Sequence, residues 1–243
     1  MPNLNWEFTQ DFSADVVTQL AGDEQRLDQL AAGVEHHGTI RFWAAAQTAL
    51  VVSRRDIRLP QYRQACDVMA QRRWPVYTRS SGGGVCPQGP GLFNLSVIFP
   101  EAHGPNGPSI QRSYTWFCRC LQQAFATHGM VTAVGPVAGG FCDGRFNIIA
   151  NGRKLVGTAQ RWKRIRGESR AVAILIHALI LFNVDRAAIT AAIAKFYSQA
   201  GGEMSLDERA LINVTEVAGL VQPEDLAHSF AHALQSDANT TIF

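Results

Sequence analysis

Phe146-Asn147-Ile148-Ile149-Ala150-Asn151-Gly152-Arg153-Lys154-Leu155-Val156-Gly157-Thr158-Ala159-Gln160-Arg161 is the stretch that decides the fold. Asn151-Gly152 fits a two-residue type I′ turn, whose central positions both need positive φ, and apolar residues flank it on each side. The reading is a β-hairpin with strands at 146–150 and 153–161. Pairing Ala150 with Arg153 sets Ile149 opposite Lys154. Strict alternation then puts Lys154, Val156, Thr158 and Gln160 on one face, and Leu155, Gly157, Ala159 and Arg161 on the other. Small residues at Gly157, Thr158 and Ala159 leave a slot where a ligand or another backbone can lie.

Working outward, Ser13 to Glu35 has helical spacing, with a break expected near Gly22 and an end at Gly33 and Gly38. Two short strands follow, Thr39 to Trp43 and Gln47 to Val52, and then a helix opened by Leu59-Pro60 that turns Ala65, Val68 and Met69 inward. Pro75 to Thr78 reads as a strand that delivers Arg79-Ser80-Ser81-Gly82-Gly83-Gly84, and Phe93 to Phe99 as another. Gly104 to Pro108 is a turn-rich loop, and Ser109 is the N-cap of a helix running to His128. A long apolar strand, Ala171 to Val184, follows the hairpin, and helices near Arg186 to Ser198 and Pro223 to Leu234 close the chain. Strands and helices intermixed around an antiparallel hairpin predict an α/β domain on a mixed sheet. One domain over 1–243 is expected, with its core at about 38–200 and the C-terminal helices of 203–236 packed on it.

Composition narrows the class. The chain has 243 residues, 47% hydrophobic and 17% charged, enough apolar content for a full core. The greasiest run, Ala171 to Val184, is interrupted by His177 and is shorter than the roughly 18 residues of a membrane span, so no membrane association is expected. The N-terminus lacks the basic and apolar blocks of a signal peptide, so a cytoplasmic location is expected. Five cysteines with no CxxC pair argue against both a disulfide framework and a structural zinc site, so no metal is expected. Cys66, Cys118 and Cys120 read as structural thiols. A net charge of +2 is too small to point to nucleic acid. Arg161, Lys163, Arg164 and Arg166 nonetheless crowd a segment in which Glu168 is the only acid, which reads either as a solvated loop or as a patch that steers an acidic partner.

Three features bear chemistry. The glycines after Arg79 and Ser81 bare their amides and let a ligand approach the backbone, but they match neither GxGxxG nor GxxxxGK[ST]. Lys154 reads on residue type as an exposed lysine beside a turn; the functional reading is an ammonium that polarises a carbonyl or passes a proton. Cys142 lies in the glycine-flanked loop Gly140-Phe141-Cys142-Asp143-Gly144, where Arg145 and Lys154 would favour a thiolate. An extended strand would leave Cys142 about 20 Å from Lys154, so the loop must fold back if the two cooperate. His177, alone among aliphatics, reads as a satisfied core histidine.

Arg79-Ser80-Ser81-Gly82-Gly83 and Gly152-Arg153-Lys154-Leu155-Val156-Gly157 resemble the two signature segments of the biotin/lipoate protein ligase and octanoyltransferase family, over a core from about Arg41 to Val184. The resemblance implies the biotin/lipoate ligase catalytic-domain fold, class II synthetase-like: a mixed, largely antiparallel sheet flanked by helices. Phe141-Cys142-Asp143-Gly144 is similar to the cysteine-dependent octanoyltransferases. That likeness implies an acyltransferase of protein lipoylation, moving an octanoyl or lipoyl group through a Cys142 thioester to a lysine of a lipoyl domain. The implied catalytic residues are Cys142 and Lys154. The implied acyl site comprises Arg79, Ser81, Gly82, Gly83, Gly84, Asn94, Gly157, Thr158, Ala159 and His177. Partners implied are an octanoylated H protein or acyl carrier protein and the lipoyl domains of 2-oxoacid dehydrogenases, with no cofactor. The alternatives are an ATP- and Mg2+-dependent lipoate-protein ligase and a non-catalytic acyl- or lipoyl-domain binder. The chain departs from family habit at Cys86-Pro87-Gln88, where a histidine is common, and at Ala178, where glycine often follows the histidine.

Overall fold

A computed structural model describes residues 4–104, 107–142 and 144–241, with side chains described as far as 237. Asp143 of the cysteine loop, and Pro105 and Asn106 of the turn-rich loop, lie outside the described residues. In chain order the elements are β1 (Trp6–Asp11), α1 (Val16–Ala31), β2 (Gly38–Trp43), β3 (Ala49–Val52), α2 (Tyr62–Gln71), β4 (Val76–Thr78), β5 (Cys86–Gln88) and β6 (Leu92–Ala102). After them come α3 (Ile110–Ala126), β7 (Ala133–Gly135), β8 (Asn147–Ala150), β9 (Arg153–Arg164), β10 (Ala171–Leu181), α4 (Arg186–Ala200), α5 (Val214–Val217) and α6 (Pro223–Thr241).

Seven strands form one sheet in the order β1-β2-β6-β10-β9-β8-β7, antiparallel throughout except for the parallel pair β1 and β2. This is the mixed, largely antiparallel sheet expected. A second, three-stranded sheet, β4-β3-β5, stands apart from it. The central strands β6 and β10 are apolar on both faces because both faces are covered. Ile174, Ile176 and Ile180 of β10 meet α3 and α6, while Ala173 and Leu175 meet α1, and Leu179 and Leu181 meet α4 and the small sheet. Each fully buried large side chain here contributes about 1.5–3 kcal/mol. His177 therefore falls at the seam between α1 and the small sheet, and the candidate site lies along that seam.

Helix ends follow their caps. Asp15, Ser109 and Asp185 accept from the amides of Thr18, Arg112 and Ala188 at 2.9, 3.3 and 3.0 Å, and Gly201 closes α4 in the left-handed region. The helix of the N-terminal segment runs unbroken through Gly22. That glycine makes room for packing: a Cβ there would sit 2.9 Å from Arg41 Nη2, whose guanidinium is ion-paired to buried Asp23. The about 1 kcal/mol that a mid-helix glycine costs is offset by the face α1 buries on the sheet. β1 was not anticipated, because all six of its residues are only half-buried and show no alternation. Val68 of α2, expected inside, is half-buried.

The hairpin forms as read, with Asn151 at φ 51° and Gly152 at φ 71°, and Ile149 pairs with Lys154. The facing of β9 does not follow strict alternation. Ile148 pairs with Val156, not Leu155, so β9 carries one extra residue there and its side-chain phase slips. Leu155 and Val156 both enter the α3 side of the core. Lys154 turns to the opposite side and lies against Gly157, where an added Cβ would be 3.1 Å from both Lys154 Cε and Nζ.

Candidate functional site

The small sheet supplies one wall. The Arg79 amide donates to Val52 O at 2.9 Å, continuing the β3–β4 pairing by one residue before the chain breaks into the glycine loop. The loop then bends back, with Gly83 at φ 106°. Its far end is pinned by Tyr197 of α4: the phenol accepts from the Val85 amide at 3.3 Å and donates to buried Asp56 at 3.1 Å. Burial pushes the Tyr197 phenol up to about 12, so it keeps the proton this bond needs. Neither Tyr197 nor Asp56 was singled out from the sequence, because helix residue and 3-10-turn residue meet only through packing.

The second wall is the loop 137–142, which folds back over β9. Lys154 is 0% exposed, contrary to the residue-type reading, and its ammonium donates to the carbonyls of Phe141 at 2.5 Å and Cys142 at 3.2 Å while lying over the Phe141 ring. These bonds bring the cysteine loop to the lysine and cancel the separation expected along an extended strand. Cys142 itself has φ 45°, a left-handed conformation that is uncommon and costly for a residue with a side chain.

The two walls meet at the Cys142 sulfur. It accepts from the Gly84 amide at 3.1 Å and from Arg79 Nη2 at 3.6 Å, and Arg79 Nη2 also donates to Gly84 O at 3.1 Å. The Cys142 thiol is held well below the usual thiol range, first by a hydrogen bond from Cys86, with the cations Arg79 and Lys154 and the Gly84 amide adding to it against the cost of burial. Cys86 moves the opposite way, raised well above the usual range by the same bond and by its own burial. Cys86 was read only as a departure from family habit; a lone cysteine in β5 carries no signal of what it will face.

Around this centre a small cavity is lined by Trp43, Val51, Phe141, Gly157, Ala159 and Leu179, with Asn94 and Gln88 in a reciprocal pair of amide hydrogen bonds at 2.8 and 3.1 Å. Arg79, Gly157, Thr158, Ala159, Asn94 and His177 all reach this space, and the Thr158 hydroxyl donates to Phe146 O at 2.7 Å. Gly82 is exposed at the loop tip and no atom lies within 4 Å of an added Cβ there. Ser81, 4% exposed, is bonded to His177 Nε2 at 2.9 Å. An outer groove leads on from the cavity past Arg54, Ser80 and Ser81. There the basic segment is partly neutralised by acids distant in sequence: Glu24 pairs with Arg161 at 3.6 Å and with Lys163 at 3.4 Å, and Asp28 pairs with Lys163. Arg164 and Arg166 remain exposed.

A cysteine of lowered pKa whose sulfur meets a backbone amide and a guanidinium at one end of an apolar slot can take and release an acyl group. A family model for the lipoyl protein ligase A/B catalytic domain matches residues 15–235. The chain belongs to this family. It is 33% identical over 195 residues to an octanoyl-[GcvH]:protein N-octanoyltransferase of Kyrpidia tusciae, covering 79% of this chain and 66% of the relative. It is 28% identical over 183 residues to the enzyme of the same name from Geobacillus kaustophilus, covering 75% and 61%. The matches thus span two thirds or less of those transferases' own lengths. Its fold is similar to that of a lipoate-protein ligase A solved with ATP, at TM-score 0.73 and 16% identity over 97% of this chain and 85% of that one.

Two expectations arise at this lipoyl ligase-type site. A Cβ on Gly83 would lie 2.6 Å from the Cys142 sulfur and 2.8 Å from Arg79 Nη2, at a φ that disfavours any side chain. Gly83→Ala is expected to lower single-turnover acyl transfer about 100-fold, with carrier binding by calorimetry unchanged. The second concerns His177, which burial, with Arg79 beside it, pushes down to about 3. The unfolded imidazole protonates near 6.5, so between about 6.5 and 3 the unfolded chain binds more protons and stability falls with pH. His177→Gln keeps a partner for Ser81 and removes that proton uptake; its urea midpoint should drop less than the parent's between neutral pH and about pH 4.

Proposed function

We propose that the chain is an acyltransferase of protein lipoylation that moves an octanoyl or lipoyl group from a carrier protein, through a thioester on Cys142, to a lysine of a lipoyl domain. The observation that carries this reading is the Cys142 sulfur at the end of the cavity, accepting from the Gly84 amide and Arg79 Nη2, with its thiol held well below the usual range. The thiolate attacks the acyl carbonyl of the donor, forming a C–S bond. The donor's C–N bond breaks if the acyl group arrives on a lysine of an H protein, or its C–S bond if it arrives on acyl carrier protein, and the leaving group takes a proton. The neutral acceptor lysine amine then attacks the thioester; a C–N bond forms, the C–S bond breaks to return the thiolate, and the amine's proton goes to solvent, balancing the one taken up by the donor's leaving group.

Charge passes from sulfur to the carbonyl oxygen in each step, and the donors beside it are the Gly84 amide and Arg79. Arg79 Nε is buried and makes no hydrogen bond among the described residues, which leaves a donor for the acyl oxygen. Lys154 serves as a positioning residue: it fixes the Cys142 carbonyl and adds positive charge behind the sulfur.

An acyl carrier thioester already holds an activated acyl group, and exchange of one lysine amide for another is near balance, so neither donor requires ATP or Mg2+. Five free cysteines fit a reducing, cytoplasmic setting, and no helix among the described residues is long and apolar enough to cross a membrane.

The test is incubation without ATP with octanoylated H protein and octanoylated acyl carrier protein separately, read by intact mass after denaturation. One octanoyl group on the protein, removed by hydroxylamine and absent in Cys142→Ala, is the expected result and names the donor. No adduct from either carrier, with lipoyl-adenylate formed from lipoate, ATP and magnesium, would make the protein a ligase. Binding of the carriers with neither outcome would make it a non-catalytic binder.

A further inference from the structure

Ser53-Arg54-Arg55-Asp56-Ile57-Arg58 follows β3 and carries three arginines against one acid. The acid is turned inward. Asp56 is 2% exposed and accepts from the Ser53 amide at 3.0 Å, the Ser53 hydroxyl at 2.8 Å and the Tyr197 phenol at 3.1 Å. These bonds hold a 3-10 turn over Asp56–Arg58 and tie it to the tyrosine that pins the glycine loop. The other side of the turn faces out: Arg54, Arg55, Ile57 and Arg58 are all exposed. Among the described residues the side chains of Arg54 and Arg58 make no ion pair or hydrogen bond, and Arg55, 73% exposed, pairs only with Asp56 at 3.7 Å.

This turn borders the mouth of the acyl slot. Arg54 and Ile57 line the outer groove together with Ser80, Ser81 and His177. A Cβ on Gly84 would lie 3.6 Å from Arg55 Nη2, and the amide of the same glycine meets the Cys142 sulfur. The basic segment of β9 is less well placed. Arg161 and Lys163 are engaged by Glu24 and Asp28, and Arg164 lies about 33 Å of extended strand beyond Lys154. An acyl group presented on a protein brings that protein's surface against the mouth of the slot. Exposed arginines around an isoleucine are what an interface offers there: charge to orient the partner and an apolar contact to hold it.

We propose that the turn at 54–58 is the docking surface for the acyl-bearing carrier protein and receives an acidic face of that carrier beside its acylated side chain. This rests on the reading of the chain as a carrier-dependent acyltransferase. Arg54, Arg55 and Arg58, with their one neighbouring acid buried, repel a basic surface and draw in an acidic one. Ile57, 41% exposed, supplies the apolar contact between them. Because Asp56 and Tyr197 join the turn to the glycine loop, a carrier seated on it is held in register with Cys142.

The test compares two octanoyl donors on the full chain without ATP: octanoylated H protein, and the octanoyl thioester of N-acetylcysteamine, which has no protein surface. Acylation is followed by intact mass on quenched samples, and the readout is the carrier rate divided by the small-thioester rate. The parent is compared with Arg54→Gln/Arg55→Gln/Arg58→Gln and, as a charge control, with Arg164→Gln/Arg166→Gln. The triple variant should lower the ratio about tenfold, and the control should leave it unchanged. Raising salt from about 0.05 to 0.3 M should lower the parent's ratio towards that of the triple variant, whose own ratio stays nearly flat. An unchanged ratio in the triple variant overturns the proposal, and so does an equal loss in the control. If the ratio is unchanged while the triple variant loses binding to phosphatidylglycerol vesicles, the turn belongs to a lipid surface instead. The two readings fail separately. A parent that takes an octanoyl group from neither donor sinks the thioester route, whereas calorimetric binding of H protein to the parent and the triple variant tests the docking surface with no turnover at all.

Discussion

Cys142→Ala is expected to lower ATP-free octanoyl transfer by on the order of 10³-fold or more and to leave no hydroxylamine-sensitive adduct, while carrier binding persists. The size follows from chemistry: no other sulfur in the cavity can substitute, because Cys86 is buried and its pKa is pushed up by the same contact that pushes Cys142 down. Cys142→Ser should be nearly as inactive, since a hydroxyl at this site stays protonated where a thiol does not. The backbone adds a second readout. At φ 45° a side chain carries a cost that glycine does not, so Cys142→Gly should abolish transfer without lowering the thermal midpoint. A site kept at such a conformation for its sulfur is a place where function opposes stability. Retention of transfer in any of these variants would sink the thioester route.

Lys154→Met is the second large effect. The methionine fills the stem's space but leaves the carbonyls of Phe141 and Cys142 without the ammonium that bonds them at 2.5 and 3.2 Å. Losing those bonds should cost about 1–3 kcal/mol of stability, read from urea unfolding. The cysteine loop is then free to swing away from Gly84, so kcat should fall about 100-fold. Because Lys154 also supplies positive charge near the sulfur, the alkylation midpoint of Cys142 should rise, which a purely structural lysine would not cause. Lys154→Arg should not rescue. The ammonium already fills the space over Gly157, at 3.1 Å from where a Cβ would be, and a guanidinium is wider. An unchanged midpoint in a folded Lys154→Met protein would confine the lysine to scaffolding.

Much of this was written locally in the chain. Asn151-Gly152 specified its own hairpin because a type I′ turn needs two positive φ values that few dipeptides accept, and Ser109 marked its helix because an orphan amide needs an acceptor there. The apolar run of β10 announced a strand buried on both faces. Arg79, the glycines, Lys154 and Cys142 were legible as a set through their resemblance to a family, and the fold brings the loop of Arg79 and Gly84 to Cys142 and Lys154.

What only the tertiary structure decided are the relations between segments far apart in sequence. The bulge opposite Ile148 turned Lys154 from the face its numbering predicted to the site side, because one extra residue reverses side-chain phase in a strand. Gly22 proved to be space for Arg41, and the basic segment met Glu24 and Asp28, because helix packing pairs charges that no local window contains. Cys86 came to line the same cavity as Cys142, far along the chain. Residue type gives a thiol its nominal acidity, but the charges, amide and second thiol that set its protonation arrive from β5, β9 and the glycine loop only when the chain has folded.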